Sequence, residues 1–381
     1  MPEYKKIIKP ICFLFLIVLI AANGCAPKTG NQEYFTIGAL LPLTGAGSEE
    51  GFRALNGLYL AKKEINDNGG ILGKKLDVII LNDRGSEEYI VRQYNALKER
   101  GVAAIIGSSY SNVTIALAKA AEKDGIPIIS PTASNPDVTK NRKNVFRAIF
   151  IDDYQAEVMA YFARNSLNAE TAVVLSNRAN VSFRRINEVF IESFAKRGGR
   201  IIAVEPYYSK DDYTGILSKY AANPPDVIFC PEDYVSAAKL INAAYEAGFV
   251  NTRILGSDAW DGLLAYINYP QAMKNVYYST AFSYDDQDAK VVQFVREYFD
   301  SFSQMPLSSS ASAYTCVYIL SQAIEKAGNA GKDAIISAIK ENELDSIIGR
   351  IKFDGNNNPR TNVYIIHLEG GEYSTYEKLS L

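Results

Sequence analysis

Histidine is nearly absent from this chain of 381 residues, since His367 is the only one. That scarcity removes the usual general base at neutral pH and the commonest metal ligand. Cysteine is little better represented, with Cys12, Cys25, Cys230 and Cys316, and no Cys/His cluster has the spacing of a metal site. No Gly-x-Ser-x-Gly elbow or Walker loop occurs, and Leu43-Thr44-Gly45-Ala46-Gly47 lacks the third glycine of a dinucleotide loop. The usual carriers of acyl transfer, nucleotide hydrolysis and hydride transfer are therefore missing. Forty basic against 43 acidic residues give no basic footprint for nucleic acid. No enzyme, metal, cofactor or nucleic-acid partner is expected.

Long hydrophobic runs are also lacking. The longest, Ile11 to Ala22, has 12 residues, against the roughly 20 that cross a bilayer core. Preceded by Lys5, Lys6 and Lys9, it reads as the apolar region of a secretory signal. It closes on Ala22-Asn23-Gly24-Cys25, which resembles the lipobox of bacterial lipoproteins and implies cleavage before Cys25 and acylation of that residue. An ordinary secretory signal with an incidental cysteine is the alternative. More than one acyl chain would anchor the protein stably, and 26–33 then reads as a flexible tether. Losing three lysines and one glutamate takes the net charge from −3 to about −5. Cys230 and Cys316 lie in apolar surroundings; buried thiols are expected, with a disulfide as the alternative in an oxidising compartment. His367 falls on a strand over 363–368, a structural position.

About 350 mature residues point to two domains. Apolar strands alternate with helical periodicity, with strands at 34–41, 76–81 and 102–106 and helices at 51–65, from Ser86, and at 112–123. The same grammar restarts after Asp152, with helices at 154–166, 183–197, 212–222 and 234–247 and strands at 171–175, 201–204, 226–229 and 253–255. Helices recur at 290–302, 311–327 and 333–340, followed by short strands at 351–353 and 363–368. Such alternation means right-handed crossovers and parallel sheets. The fold class is α/β, with two doubly wound halves.

Two hydroxyl-rich loops stand where strands run out. Gly107-Ser108-Ser109-Tyr110-Ser111-Asn112 follows Val102 to Ile106, and Ser130-Pro131-Thr132-Ala133-Ser134-Asn135-Pro136 follows Ile126 to Ile129. Ligands of open parallel sheets sit outside the carboxyl ends of the strands. Hydroxyls and free N–H groups there, with a helix starting just after, suit an anionic group such as a carboxylate.

These loops, together with Ile37-Gly38-Ala39-Leu40-Leu41-Pro42-Leu43-Thr44-Gly45 and Ile65-Asn66-Asp67-Asn68-Gly69-Gly70-Ile71-Leu72-Gly73, carry a likeness to a known family. From residue 34 to about 373 the chain resembles the leucine/isoleucine/valine-type periplasmic binding proteins, the solute receptors of ABC importers. The resemblance implies two doubly wound lobes joined by three crossings, lobe one being 34–152 plus 281–361 and lobe two 153–280 plus 362–381. It implies a monomer on the extracytoplasmic side that takes an amino acid or related amine and delivers it to an ABC permease. A sensory module acting through a separate membrane partner is the alternative. By that likeness Ser111, Thr132 and Ser134 take the ligand carboxylate, with Tyr110 beside them, and Asp258 of Leu255-Gly256-Ser257-Asp258 takes the ammonium.

The departures bear on the ligand. Asn180 stands where relatives often place a tyrosine, Asp233 falls where an aromatic is expected with Tyr234 next to it, and Glu50 takes another usually aromatic position. Gly85 and Tyr110 replace a cysteine pair found in some relatives. A pocket more acidic than an aliphatic amino acid wants is implied, suiting a polar or cationic amino acid or a small amine, unless Glu50 and Asp233 point into water. Trp260 is the aromatic candidate for ligand contact, or else it caps the loop that carries it.

Overall fold

The computed structural model describes residues 34–45, 47–178, 183–208 and 213–381. The leader and tether with Cys25, and also Asn180, lie outside the described residues. In chain order the first half runs β1 (Tyr34–Leu41), α1 (Ser48–Asp67), β2 (Lys75–Asn82), α2 (Glu87–Glu99), β3 (Ile105–Gly107), α3 (Ser111–Ala121), β4 (Ile128–Ser130) and β5 (Val145–Arg147). These strands form a parallel sheet in the order β2-β1-β3-β4-β5. Alternation along β1 explains why both faces are covered. Phe35, Ile37 and Ala39 enter one core with Leu58 of α1, while Leu40 enters the opposite core with Leu97 of α2 and Leu117 of α3.

The chain continues through α4 (Asp152–Tyr161), β6 (Thr171–Asn177), α5 (Arg184–Lys196), β7 (Arg200–Tyr207), α6 (Tyr213–Ser218), β8 (Val227–Phe229), α7 (Tyr234–Glu246), β9 (Arg253–Gly256) and β10 (Val276–Thr280). It then adds α8 (Ala289–Phe302), α9 (Ser308–Ala327), α10 (Lys332–Glu341), β11 (Glu343–Ser346), β12 (Gly349–Lys352), β13 (Val363–Glu369) and β14 (Glu372–Leu379). The second sheet has the order β14-β13-β10-β9-β8-β6-β7, with β13 antiparallel to both its neighbours, β10 and β14, and the remaining pairs parallel. Ala172 and Val174 of β6 face one core and Val173 and Leu175 the other. The architecture is α/β with two doubly wound lobes, as expected from the strand-helix alternation.

Several elements differ from the sequence reading. Helix α1 begins at Ser48, with Glu49 and Glu50 in its first turn, where acidic groups favour the helix dipole. The helix expected over 154–166 starts at Asp152, stops at Tyr161 and continues as a π-turn over Phe162–Ser166. The one expected over 212–222 shrinks to α6, and its continuation is broken into turns ahead of Pro224 and Pro225, because the residue before proline disfavours helix. The strand expected at 351–353 is β12, while its hairpin partner β11 and the last strand β14 were unforeseen. Glu-Tyr-Ser-Thr-Tyr-Glu-Lys on β14 is mostly polar and only half-buried on alternate residues, so no apolar run announces it. Cys230 and Cys316 are free, buried and in different cores, so no bridge joins them. His367 stacks on Tyr277 at 4.4 Å, and its Nε2 lies 2.8 Å from the Lys274 carbonyl oxygen.

Close packing of α1 on α9 sets the first lobe's interior. A methyl group at Gly57 would come within 2.0 Å of the Ser310 carbonyl oxygen, a backbone atom that cannot swing away. Gly57→Ala is therefore expected to destabilise the fold by about 1–3 kcal/mol through overpacking. Chemical denaturation measures it, and an unchanged midpoint would show that α1 and α9 part freely.

Candidate functional site

Loops leaving the carboxyl ends of β3 and β4 meet loops leaving β8 and β9 around one cavity of about 390 Å³. Ser109, Tyr110, Ser111, Thr132 and Ser134 come from the first sheet's side, and Asp233, Tyr234 and Asp258 from the second's. The first turn of α1 adds Glu50 and Arg53, α4 adds Asp152, and α9 adds Ser308 and Ser309. Ser111 and Asp258, far apart in sequence and on different sheets, thus share one space. Glu50 and Asp233 line it as well.

Three hydroxyl groups in the cavity are already engaged, and in different senses. Ser111 Oγ accepts from the Asn135 N–H at 3.2 Å, leaving its own proton free. Thr132 Oγ1 faces two acceptors, Glu50 Oε1 at 3.1 Å and the Ser109 carbonyl at 3.0 Å. Ser134 gives its hydroxyl proton to Asp152, whose backbone N–H returns a bond to the Ser134 carbonyl at 3.0 Å. Asp233 caps α7, accepting from the N–H groups of Val235 and Ser236. Its carboxylate also accepts from the Ser236 hydroxyl at 2.5 Å.

Trp260 requires a correction. It is fully buried and does not line the cavity. The 3₁₀ turn Asp258–Trp260 sends Asp258 towards the cavity and turns the indole back into the core beside Tyr278. Gly256 makes room for it, since a Cβ there would lie 2.1 Å from the indole ring. Of the two readings open for Trp260, the packing one holds.

Several residues escaped the sequence reading. Gln155, fully buried, donates to Asp152 Oδ1 at 3.1 Å and accepts from the Asp258 N–H at 3.3 Å and the Ser279 hydroxyl at 3.1 Å. Asp261 Oδ2 accepts from the Ser308 N–H at 3.1 Å and the Thr280 hydroxyl at 3.2 Å. It thereby caps the exposed donors at the start of α9 from another part of the chain. Asp152 and Asp261 carry no local signal beyond proximity to Asp153 and Asp258. Only the fold brings them together.

Crowded, half-desiccated carboxyl groups resist ionisation. Burial pushes Asp258 up to about 8, helped by the charge of Asp152 and opposed by Gln155. Burial likewise raises Asp261 to about 7 against the pull of the Ser308 N–H and Arg53. Asp152 rises to about 6 for the same reason, tempered by Ser134, Arg147 and Gln155. Glu50 is also raised by burial, with Thr132 and Arg53 working the other way. Among the described residues no group of three His, Cys, Asp or Glu could hold a metal ion.

Comparison with known proteins agrees with this geometry. A family model described as "Periplasmic binding protein" matches residues 35–372. A Leu/Ile/Val-binding protein of Rhizobium johnstonii is 28% identical over 355 residues, covering 88% of this chain and 91% of that one. Among solved structures, the branched-chain amino acid transporter substrate-binding protein LivJ of Streptococcus pneumoniae, in complex with isoleucine, superposes with a TM-score of 0.84. It is 26% identical and covers 92% of this chain and 100% of its own. The leucine-binding protein LivK of Thermotoga maritima gives 0.81 at 26% identity, covering 91% and 98%.

The raised carboxyls link stability to pH. Each keeps its proton in the folded chain to a higher pH than the ordinary 3.8 of the unfolded one. Their stabilising contribution is complete below that value and is lost as pH rises through about 6 to 8. The melting temperature of the ligand-free protein is expected to fall across pH 5 to 8.5, and Asp258→Asn to make that fall shallower. Parallel wild-type and variant profiles would show that Asp258 titrates as an ordinary surface acid.

Proposed function

Because the chain belongs to the leucine/isoleucine/valine-type periplasmic binding protein family, we propose that it captures an amino acid or similar small polar solute and delivers it to an ABC permease. The family consists of solute-binding proteins, and its place is extracytoplasmic. The observation that supports the reading is the cavity itself: a free hydroxyl proton on Ser111 at the start of α3, and Asp258 from the other sheet, face the same 390 Å³ space. Ser111 gives its proton to the ligand carboxylate, and Asp258 receives the ammonium in a charge-assisted bond. Tyr110, Thr132, Ser134 and Tyr234 complete the walls.

In this reading the lobes are 34–152 plus 281–361 and 153–280 plus 362–381, a division supported by β10, β13 and β14 lying in one sheet. A ligand gripped by both lobes stabilises the closed arrangement by its differential affinity for it. The leader is cleaved before Cys25, which carries the lipid anchor, and the receptor works as a monomer at the membrane surface. Among the described residues no helix is long and apolar enough to cross a membrane.

Two experiments test the reading. Asp258→Ala is expected to abolish binding of an amino acid in titration calorimetry while circular dichroism stays native; unchanged affinity would remove Asp258 from the site. Cys25→Ala is expected to move the protein from the membrane fraction to the soluble one. Retention at the membrane after that substitution would refute the lipid anchor.

A further inference from the structure

A guanidinium lies sealed beneath the second hydroxyl-rich loop. Arg147, the last residue of β5, is fully buried and takes no part in the cavity wall. It stands at the carboxyl end of the edge strand, level with Ser130, where that loop leaves β4. A buried charge is costly unless it is well bonded, and here the bonds go to neutral oxygens. Nη1 donates to the Ala133 carbonyl at 2.6 Å. Nη2 donates to the Asn135 carbonyl at 2.8 Å and to Thr139 Oγ1 at 3.2 Å. Asp152 and Asp354 act on the guanidinium through space.

Those bonds fix the segment that carries Ser134. Its near end is held without Arg147, since Ser130 Oγ accepts from the Ala133 N–H at 3.1 Å and donates to the Ser108 carbonyl at 2.7 Å. Its far end enters a 3₁₀ turn, where the Val138 N–H also reaches the Asn135 carbonyl at 3.1 Å. Between them, the Ala133 carbonyl has no donor but Arg147 among the described residues. A trans peptide is planar, so its C=O and N–H point opposite ways. With the Ala133 carbonyl drawn down to the guanidinium, the Ser134 N–H turns the other way, to the side on which Ser134 lines the cavity. The next plane is held at both edges. The Ser134 carbonyl accepts from the Asp152 N–H at 3.0 Å, and the Asn135 N–H meets Ser111 Oγ at 3.2 Å. That second bond is what leaves the Ser111 proton for a ligand.

We propose that Arg147 is a positioning residue of the carboxylate grip: without touching the ligand, it orients two successive peptide planes so that the Ser111 hydroxyl and the Ser134 N–H present their protons to one anion. The proposal rests on the amino-acid receptor reading above. A lysine is no substitute, because an ammonium is a point charge and lacks the planar fork that reaches two carbonyls at once. Without the fork the buried Ala133 carbonyl loses its donor, a costly state that rotation of its peptide plane relieves. Rotation carries the Ser134 N–H and the Asn135 N–H out of line, and the Ser111 hydroxyl with them.

A double-mutant cycle read by titration calorimetry tests it, on the tightest binder from a panel of the common amino acids. Arg147→Lys is expected to weaken binding about tenfold in the otherwise native chain. In the Ser111→Ala background the same change is expected to cost less than about threefold, because both residues act on one contact. A purely structural role weakens binding equally in the two backgrounds, so equal losses, or an unchanged affinity, overturn the proposal. Should Ser111→Ala bind too weakly to read, the single variant decides, and a loss under about threefold overturns the proposal. Should Arg147→Lys fail to fold, Thr139→Val goes through the same cycle, removing one acceptor of the guanidinium from outside the cavity. Its expected loss is about threefold and vanishes beside Ser111→Ala; an unchanged affinity there overturns the proposal as well. Amino-acid binding with additive losses sinks this inference and spares the receptor reading, whereas no binding by any amino acid sinks both.

Discussion

Acids brought together out of water repel one another, and this structure is organised around tolerating that repulsion. Asp152, Asp258 and Asp261 share one cavity, and the buried amide of Gln155 holds the first two in place. Its N–H₂ donates to Asp152 and its oxygen accepts from the Asp258 backbone. The side chain thereby spans α4 and the loop after β9, and adds a link to Ser279 on β10. Protonation lowers the repulsion further, which is why burial carries these groups towards neutral pH.

The scaffold delivers this arrangement through strand direction. In each sheet the parallel strands end at the same edge, so the loops after β3, β4, β8 and β9 converge although they lie far apart in the chain. Convergence alone would leave the two sheets independent. Asp261, on the loop after β9, reaches the first N–H of α9, whose body packs against α1 in the first lobe's core. At the start of α4 the Asp152 backbone N–H donates to the Ser134 carbonyl, and its carboxylate accepts from the Ser134 hydroxyl. Carboxylates therefore serve both as cavity wall and as ties between separately packed cores, and any ligand that neutralises them acts on both roles.

Much of this was legible in the residues themselves. Strand-helix alternation gave the α/β class, and the hydroxyl-rich segments around Ser111 and Ser134 announced loops at strand ends. Asp258, following Gly256-Ser257, was found by likeness to a family pattern. Trp260 was not placed by that route, because a two-residue step along a 3₁₀ turn reverses the direction of a side chain, and sequence shows only the step. The strands β11 and β14 went unread since most of their residues are polar and their stability comes from neighbours.

Composition and periodicity by themselves determined how the strands and helices alternate and which loops stand at strand ends. Those properties are local: they follow from side-chain volume, apolar spacing and backbone preference within a few residues. Tertiary structure alone decided that Glu50, Asp152, Asp233 and Asp261 join Asp258, that Thr132 and Ser134 spend their protons on acids, and that Trp260 leaves the site. The physical reason is that desolvation and hydrogen-bond direction belong to neighbours across space, and no residue states its neighbours in its own name.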